Sequence, residues 1–458
     1  MKETQVVIIG AGINGAGLFR DLALNNINVT LIEKGDFSSQ TSQSSSKMLH
    51  GGIRYLENFD FALVQEALEE KNLWLKLAPH LCFEREFYFP LYNFSKYPPF
   101  MLNIGLFLYD FLSHFKNRPH AMLSRDEILK KIPSLRKDGL KASGMYYDGI
   151  VDDAKLTLEC IYDGLLERGT EALSYHEVKS VDSHKDYHIV TYENVFTKEQ
   201  HKIKTQYVVY TTGPFTDKLL PELGVKWQEK MITSKGIHLW LKKDAITIDG
   251  SVVLTTGEGR VIFVIPQRDA ILVGTTETKV DGEVFNIKAT EEDVTYLLKI
   301  LNEYFPTAQV GKDQIISTFA GVRPLVREEG TQESRGKTSR FHQIYRPTHH
   351  SYVLLGGKYT TFRRMTQEVA QELVPRLGVT YNPNLTLNPL RQHSLFPTFG
   401  ERPKITLEMI REIIKREKVT TLEDLIKRRL SILTPLDEVT QVDGISIEEI
   451  KKLLPQLK

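Results

Sequence analysis

The sequence predicts an α/β protein, with a parallel-sheet domain, an antiparallel-sheet domain and a short helical appendage at the C-terminus. Residues 6–17 and 352–361 each run from an apolar strand through a glycine turn into a helix, which indicates a parallel sheet. Apolar runs at 260–266 and 271–276 flank a short turn and are typical of an antiparallel hairpin. Because 458 residues exceed one ordinary core, we expect two domains and a small appendage.

The first glycine turn has the composition of a phosphate cradle. A β-branched run at residues 6–9 suits a buried parallel strand, and Gly10, Gly12 and Gly15 follow it. The first glycine permits a tight turn, the second lets the backbone approach a pyrophosphate, and the third lets helix and strand pack closely. We therefore expect the helix N-terminus that follows to bind the phosphates of a dinucleotide.

Glu33 follows the second predicted strand, residues 29–32, about twenty residues beyond the turn. A carboxylate at this spacing accepts a hydrogen bond from a ribose hydroxyl in dinucleotide-binding domains. The turn and Glu33 alone do not distinguish NAD from FAD. A βαβ unit whose glycines serve only the turn is the alternative interpretation.

Composition excludes several other classes of protein. A formal net charge of +1 gives no electrostatic reason to expect nucleic acid. Cys82 and Cys160 lack metal-ligand spacing, so we expect neither a disulfide framework nor a metal site. The N-terminus enters the first strand without a signal-peptide arrangement, and we expect a cytoplasmic protein.

Two further segments carry chemistry-bearing residues next to glycines. The serine-rich residues 38–47 lead to His50, Gly51, Gly52 and Arg54; the glycine pair permits close approach to a flat ligand, and arginine can clamp an anion. A flexible linker is the alternative.

In the segment 356–361, Lys358 and a helix N-terminus can stabilise negative charge on a cofactor ring, while an ordinary turn is the alternative.

Residues 99–112 form the most apolar predicted helix. The segment is too short to span a membrane and is interrupted by Asn103 and Asp110. Two interpretations stay open: an interfacial helix flanked by Lys96, Lys116 and Arg118, or a buried helix of the second domain.

Together these segments resemble the FAD-dependent sn-glycerol-3-phosphate dehydrogenases, a branch of the glycine oxidase and D-amino-acid oxidase fold group. The matching segments are 9–17, 41–47, 50–57, 152–154, 212–214, 234–238, 321–325 and 356–361. The serine-rich turn leading into H-G-G-x-R-Y-L-E is the most specific, since a dinucleotide motif alone indicates only a superfamily. The family's C-terminal helical domain is shortened here, with its last portion recognisable at 420–429.

The resemblance implies a Rossmann-like FAD-binding domain, an antiparallel-sheet substrate domain and non-covalent FAD. We predict that the FAD-binding domain comprises 1–80, 150–235 and 345–380, the substrate or cap domain 81–149 and 236–344, and the helical domain 384–458. The predicted cofactor-binding residues are Gly10, Gly12, Asn14, Gly15, Glu33, Thr41, Ser42, Ser45, Ser46, Lys47, Gly213, Gly357, Lys358 and Thr360.

The implied reaction is oxidation of sn-glycerol 3-phosphate to dihydroxyacetone phosphate by hydride transfer to FAD. The predicted catalytic residues are His50, His238 and Arg323. Both histidines are candidate bases because imidazole titrates near pH 6.5; in the context of the motifs His50 is favoured, and the other histidine would orient the substrate. Arg54, Arg323 and Lys358 are predicted to hold the phosphate, since the guanidinium fork bonds two oxygens at once. A flavoenzyme of amino acids or 2-hydroxy acids and a non-catalytic nucleotide-binding scaffold are the alternatives.

The resemblance also implies partners. Electrons are expected to pass to a membrane quinone or to oxygen, and a quinone would require peripheral attachment at the inner face of the cell membrane. A homodimer is a further expectation. The shortened C-terminal domain leaves dimerisation and the acceptor contacts open.

Overall fold

The structure, a computed structural model, describes residues 1–257, 259–280, 282–327 and 342–455. Its strands are β1 (Lys2–Ile9), β2 (Val29–Ile32), β3 (Met48–Leu49), β4 (Cys82–Tyr92), β5 (Ala121–Ser124), β6 (Leu140–Val151), β7 (Thr170–Leu173), β8 (His176–Ser183), β9 (His188–Asn194), β10 (Gln200–Tyr210), β11 (Met231–Lys242), β12 (Ser251–Thr255), β13 (Val261–Pro266), β14 (Ala270–Gly274), β15 (Thr278–Lys279), β16 (Ile315–Val326), β17 (His342–Tyr345), β18 (Ser351–Gly356), β19 (Gln441–Val442) and β20 (Ile445–Ser446).

Its α-helices are α1 (Ile13–Leu24), α2 (Phe61–Leu77), α3 (Pro99–Leu112), α4 (Arg125–Lys131), α5 (Asp153–Gly164), α6 (Thr216–Glu222), α7 (Glu291–Tyr304), α8 (Phe362–Arg376), α9 (Leu407–Arg416) and α10 (Ile447–Lys451). Helix α4 begins with a capping box, in which Ser124 and Glu127 bond each other's backbone. In the C-terminal appendage, α9 ends at Arg416 and a separate π-helix follows at Asp424–Arg429.

A first sheet carries the predicted parallel strands, in the order β17-β18-β10-β1-β2-β7. Strand β1 lies at its centre and pairs in parallel with β2 and β10. Its last four residues are buried because apolar side chains cover both faces: α1, α5 and α8 pack on one side, and β8 and β9 contribute to the other. The predicted α/β class with a Rossmann-like sheet is therefore confirmed.

A second sheet is almost wholly antiparallel, in the order β15-β11-β14-β13-β12-β4-β6-β3, with β16 beside β11 and β5 beside β6. The predicted hairpin is present as β13 and β14. Strand β6 runs to Val151 and β11 begins at Met231, so this sheet crosses the predicted boundaries at 149/150 and 235/236. The division into domains stays a prediction.

Helix α3 lies on the surface rather than in a core. Only Leu106, Tyr109 and Asp110 are buried. Four residues of one face, Phe100, Ile104, Phe107 and Phe111, are 55% to 66% exposed. The interpretation as a buried helix of the second domain is therefore wrong. None of the described helices is both long and apolar enough to cross a membrane.

The C-terminal helices are tied to the first sheet's domain by buried charges. Asp36, which follows β2 in the chain, accepts hydrogen bonds from Arg428 and Arg429 of the π-helix. Arg429 is completely buried and also donates to the carbonyl of Glu417 at 2.8 Å. Because both arginines lie inside the molecule, this contact fixes the C-terminal segment against the loop beyond β2.

Candidate active site

A cavity of about 940 Å³ runs between the two sheets. The glycine turn after β1, Glu33, the serine-rich turn and the start of β8 line one part of it. The other part is lined by His50, His238, Arg323 and the segment 356–360. Its volume lies at the upper end of small-molecule sites, which suits an extended ligand.

The glycine turn has the close contacts that the motif predicts. Gly10 adopts a φ of +101°, and a Cβ there would lie 2.8 Å from the carbonyl oxygen of Thr211. A Cβ on Gly15 would lie only 1.9 Å from the carbonyl oxygen of Gly10. Gly15 therefore lets helix and strand pack closely, although it does not itself line the cavity.

Glu33 and Ser42 hold the backbone of this turn. The carboxylate of Glu33 accepts hydrogen bonds from the N–H groups of Ala11 and Gly35, both at 2.8 Å. Burial raises the pKa of Glu33 above its ordinary value. Ser42 Oγ accepts from the N–H of Ile13 at 2.8 Å. A carboxylate has about four lone-pair sites, so Glu33 keeps acceptor capacity for a ribose hydroxyl.

A buried carboxylate orders the serine-rich turn. Asp153, at the first turn of α5, accepts from Ser45 N at 3.0 Å and from Ser45 Oγ at 2.6 Å, and it pairs with Lys47. The pKa of Asp153 is raised by burial, against the opposing effect of Lys47. The turn is therefore a fixed part of the cavity wall, and the alternative of a flexible linker is wrong.

His238 and Arg323 come from neighbouring strands of the second sheet. His238 Nε2 lies 2.9 Å from Ser46 Oγ, and its ring stacks on Phe319 at 4.8 Å between centroids. Burial, together with the charges of Arg323 and Lys47, holds the pKa of His238 well below 6.5. This imidazole is accordingly neutral at pH 7.

Two glycines make room for these side chains. A Cβ on Gly236 would lie 2.3 Å from Nη2 of Arg323, and one on Gly274 would lie 2.1 Å from the His238 ring. Arg323 Nη2 donates to Thr275 Oγ1 at 2.9 Å and to the carbonyl of Thr276 at 3.3 Å. The guanidinium is thus held in one orientation at the cavity wall.

His50 and Lys358 meet at the start of α8. The N–H of His50 donates to Thr360 Oγ1 at 3.2 Å. Lys358 Nζ lies 3.8 Å from the centroid of the Tyr55 ring, beside Gly52, whose φ is +76°. The two separately predicted motifs, H-G-G-x-R and G-G-K, are therefore joined in one wall.

Most of the predicted site residues line this cavity. The lining includes His50, His238, Arg323, Lys358, Gly10, Gly12, Asn14, Glu33, Thr41, Ser42, Ser45, Ser46, Gly213, Gly357 and Thr360. It does not include Gly15, Lys47 or Arg54. Lys47 acts through Asp153, and Arg54 lies in a short helical turn, Ile53–Asn58, that precedes α2.

Sequence reasoning missed several lining residues. Tyr175, His176 and Glu177 lie at the start of β8, and Thr211 follows β10. Only the position after β10 carried a signal, because ligands of parallel sheets gather at the carboxyl ends of strands. Nothing in the residues around Tyr175 indicated a site.

Comparison with known proteins identifies the family. The family described as "DAO: FAD dependent oxidoreductase" matches residues 5–357. The chain belongs to this family. It is 34% identical over 378 residues, 82% of this chain and 68% of the relative, to the aerobic glycerol-3-phosphate dehydrogenase of Bacillus subtilis. The predicted FAD-dependent oxidoreductase is thereby confirmed.

Solved structures share the fold. The glycerol-3-phosphate dehydrogenase from Bacillus halodurans, complexed with FAD, superposes with a TM-score of 0.74 at 23% identity, covering 99% of this chain and 93% of that one. The L-alpha-glycerophosphate oxidase from Mycoplasma pneumoniae, also with FAD bound, gives 0.66 at 17% identity, with coverages of 85% and 98%.

The cavity fits FAD, the cofactor of this family. At one end, the bare backbone of Gly10 and Gly12, the N-terminus of α1 and the carboxylate of Glu33 suit a pyrophosphate and a ribose. At the other end, Gly356 and Gly357 line the cavity beside His50 and Lys358. When bound, FAD supplies the acceptor for a hydride.

Proposed function

We propose that this chain oxidises sn-glycerol 3-phosphate to dihydroxyacetone phosphate. The observation that carries the proposal is the placement of an oriented guanidinium, Arg323, beside two histidines, His50 and His238, in the cavity of an FAD-dependent oxidoreductase. A secondary alcohol that bears a phosphate needs an anion clamp and a base within the same pocket. The names of these three relatives, from two genera, support the same substrate.

Arg323 is the proposed phosphate clamp. Its guanidinium has five N–H donors in a fixed fork. The bonds of Nη2 to Thr275 and Thr276 fix the plane of that fork at the cavity wall. Lys358, which also lines the cavity, adds a second positive charge without a fixed geometry. Arg54 is absent from the lining, so the proposed clamp among the described residues rests on Arg323 and Lys358.

His50 is the proposed base, and His238 positions the substrate. A proton on His238 would place a buried cation near Arg323 and Lys47, which is why its pKa is so low. His50 also lines the cavity, and its backbone N–H donates to Thr360 Oγ1. His238 is neutral and forms a hydrogen bond with Ser46 Oγ, which suits a residue that positions the substrate.

The substrate is tested with a panel under one set of conditions. Purified holoenzyme, with an artificial electron acceptor, is offered sn-glycerol 3-phosphate, glycerol, glycine, L-proline and 2-hydroxy acids, and products are identified by mass spectrometry. We expect turnover of glycerol phosphate to dihydroxyacetone phosphate and little turnover of unphosphorylated glycerol. Faster oxidation of an amino acid or a 2-hydroxy acid would assign Arg323 to a carboxylate and overturn the proposal.

We further propose that the exposed face of α3 attaches the enzyme to an anionic lipid surface. Phe100, Ile104, Phe107 and Phe111 recur at helical spacing on one face, which is too apolar for an ordinary soluble surface. Positive side chains lie around the helix, at Lys96, Lys116 and Arg118. Apolar insertion together with attraction to anionic headgroups is the usual mode of interfacial binding.

Vesicle co-sedimentation tests this attachment. Wild-type enzyme is expected to sediment with phosphatidylglycerol vesicles and less with phosphatidylcholine vesicles. The Phe107→Asp variant should stay in the supernatant, while its flavin is reduced by substrate at the wild-type rate. Equal sedimentation of both proteins would refute the role of α3. Attachment would support a membrane quinone as acceptor and a location at the inner face of the cell membrane, whereas rapid reoxidation by oxygen alone would favour an oxidase.

The predicted homodimer stays a prediction. Sedimentation equilibrium of the holoenzyme checks it directly, because monomer and dimer differ twofold in mass.

A further inference from the structure

A cluster of two histidines and one glutamate lies outside the active-site cavity. His80 lies between α2 and β4, Glu159 in the middle of α5, and His393 in the segment that leads to the C-terminal helices. One ring nitrogen of each histidine and a carboxylate oxygen of Glu159 lie within 4.8 Å of one another. None of the three lines the cavity. The flavin reaction therefore does not explain this cluster.

We propose that His80, Glu159 and His393 bind a Zn²⁺ ion. Two imidazoles and one carboxylate form a ligand set that zinc uses, with bonds of about 2.0–2.2 Å and a fourth position open to water. Bonds of that length place tetrahedral ligand atoms about 3.4 Å apart. In the structure, His80 Nε2 lies 2.6 Å from Glu159 Oε2, and all three ligand atoms lie within 4.8 Å of one another. The distance of about 3.4 Å that zinc requires falls between these two values.

Neighbouring backbone groups already orient two of the three ligands, Glu159 and His393. The second oxygen of Glu159, Oε1, accepts a hydrogen bond from the N–H of Ser394 at 2.7 Å. His393 Nε2 lies 2.9 Å from the carbonyl oxygen of Leu390, so this nitrogen carries the hydrogen and Nδ1 carries the lone pair in the neutral ring. Such hydrogen bonds from ligand to backbone are what fix ligands at zinc sites.

Burial also favours an ion at this position. Glu159 is completely buried, whereas His80 is partly exposed and His393 is exposed. The carboxylate thus supplies a negative charge inside the molecule, and the histidines leave a route to solvent. The rings of His80 and His393 stack at 3.9 Å between centroids, and binding one ion requires them to turn until their in-plane lone pairs converge.

The ion would join three segments that are distant in sequence. Glu159 belongs to a helix that packs on the first sheet, and His393 belongs to the segment that connects this domain to the C-terminal helices. Zinc is therefore expected to stabilise the docking of the C-terminal segment and to leave the flavin reaction unaffected.

The test uses metal-free holoenzyme purified without a polyhistidine tag. Zn²⁺ is added as the chloride, and affinity is measured by competition with a chromophoric zinc chelator. We expect about one Zn²⁺ per chain, a higher thermal unfolding midpoint with zinc, and an unchanged rate of flavin reduction. Removal of the exposed ligand in His393→Ala should weaken zinc binding by roughly tenfold or more and abolish the thermal shift.

Two matched variants complete the experiment. His184→Ala removes an exposed histidine elsewhere and should bind zinc like the wild type. Glu159→Gln keeps the side chain's size and should lose zinc; if it fails to fold, His393→Ala alone decides, because it preserves the pair of His80 and Glu159. Equal zinc affinity in wild type and His393→Ala, or no binding by the wild type, would overturn the proposal.

Discussion

Ser46 Oγ lies 2.9 Å from Nε2 of His238, and this contact joins the serine-rich turn to the second sheet. The turn is itself held by Asp153 at the start of α5. A helix packed on the parallel sheet and a strand of the antiparallel sheet are therefore connected through one serine-rich segment. The position of His238 therefore depends on both sheets.

His238 should make the stability of the protein depend on pH. Its pKa is depressed in the folded state, so below pH 6.5 the unfolded chain binds a proton that the folded chain does not. The free energy of unfolding then rises with pH up to about 6.5 and is flat above it with respect to this group. Removing the imidazole in His238→Gln should reduce this slope by up to about 1.4 kcal/mol per pH unit. Denaturant unfolding of both proteins between pH 5 and 8 measures it, and identical slopes would contradict the assignment.

Replacing His50 should slow flavin reduction without releasing FAD. General base catalysis contributes roughly 10²–10⁴-fold, so His50→Gln is expected to lower the rate of anaerobic flavin reduction by that factor. His238→Gln should have a smaller effect, since His238 is proposed to position the substrate. Stopped-flow absorbance measures both rates. A larger loss in His238→Gln than in His50→Gln would exchange the two roles.

Replacing Arg323 should weaken substrate binding. Hydrogen bonds to a charged group contribute about 1.5–3 kcal/mol, so Arg323→Ala is expected to raise the KM for glycerol phosphate by roughly ten- to hundredfold. Arg323→Lys keeps the positive charge but loses the guanidinium fork, so its KM should lie between that of the wild type and that of Arg323→Ala. Steady-state kinetics with the purified proteins gives these values. An unaltered KM in Arg323→Ala would remove it from the phosphate site.

Arg429 should matter for stability rather than for catalysis. It is completely buried against Asp36. Arg429→Ala removes hydrogen bonds to the carboxylate of Asp36, which keeps its pair with Arg428, so the free energy of unfolding is expected to fall by about 1.5–3 kcal/mol. The exposed pair of Arg346 and Glu372 provides the control, because Arg346→Ala should cost about 1 kcal/mol or less. Denaturation in guanidinium chloride measures the free energy of unfolding of both variants. An equally small decrease in Arg429→Ala and in Arg346→Ala would contradict the anchoring role of Arg429.

The local elements of the fold were predictable from sequence. Local sequence determines the strand at residues 6–9, the glycine turn after it and the spacing to Glu33. These features can therefore be predicted from the pattern of neighbouring residues. The same holds for α2 and for the hairpin of β13 and β14. The break after Arg416 was not predicted, although Thr421 and Asp424 bond each other's backbone N–H groups as a capping box does, so the residue pattern itself carried a helix-start signal.

The site was predictable where it rests on motifs and not where it rests on tertiary contacts. His50, Lys358 and Arg323 line the cavity, and each lies within two residues of a glycine in the motif that predicted it. Arg54 shares such a motif, yet the helical turn that contains it lies away from the cavity lining. The environment of His238, and the cluster of His80, Glu159 and His393, arise from strand register and domain packing, which spacing does not encode.

Anaerobic titration of the bound flavin tests the central claim most directly. The holoenzyme is mixed with sn-glycerol 3-phosphate in the absence of oxygen and of any acceptor, and the visible flavin band is followed. We predict complete bleaching by stoichiometric glycerol phosphate, the formation of dihydroxyacetone phosphate, and no bleaching by glycine, L-proline or 2-hydroxy acids. A flavin that stays oxidised with glycerol phosphate, but bleaches with one of those acids, would contradict the account.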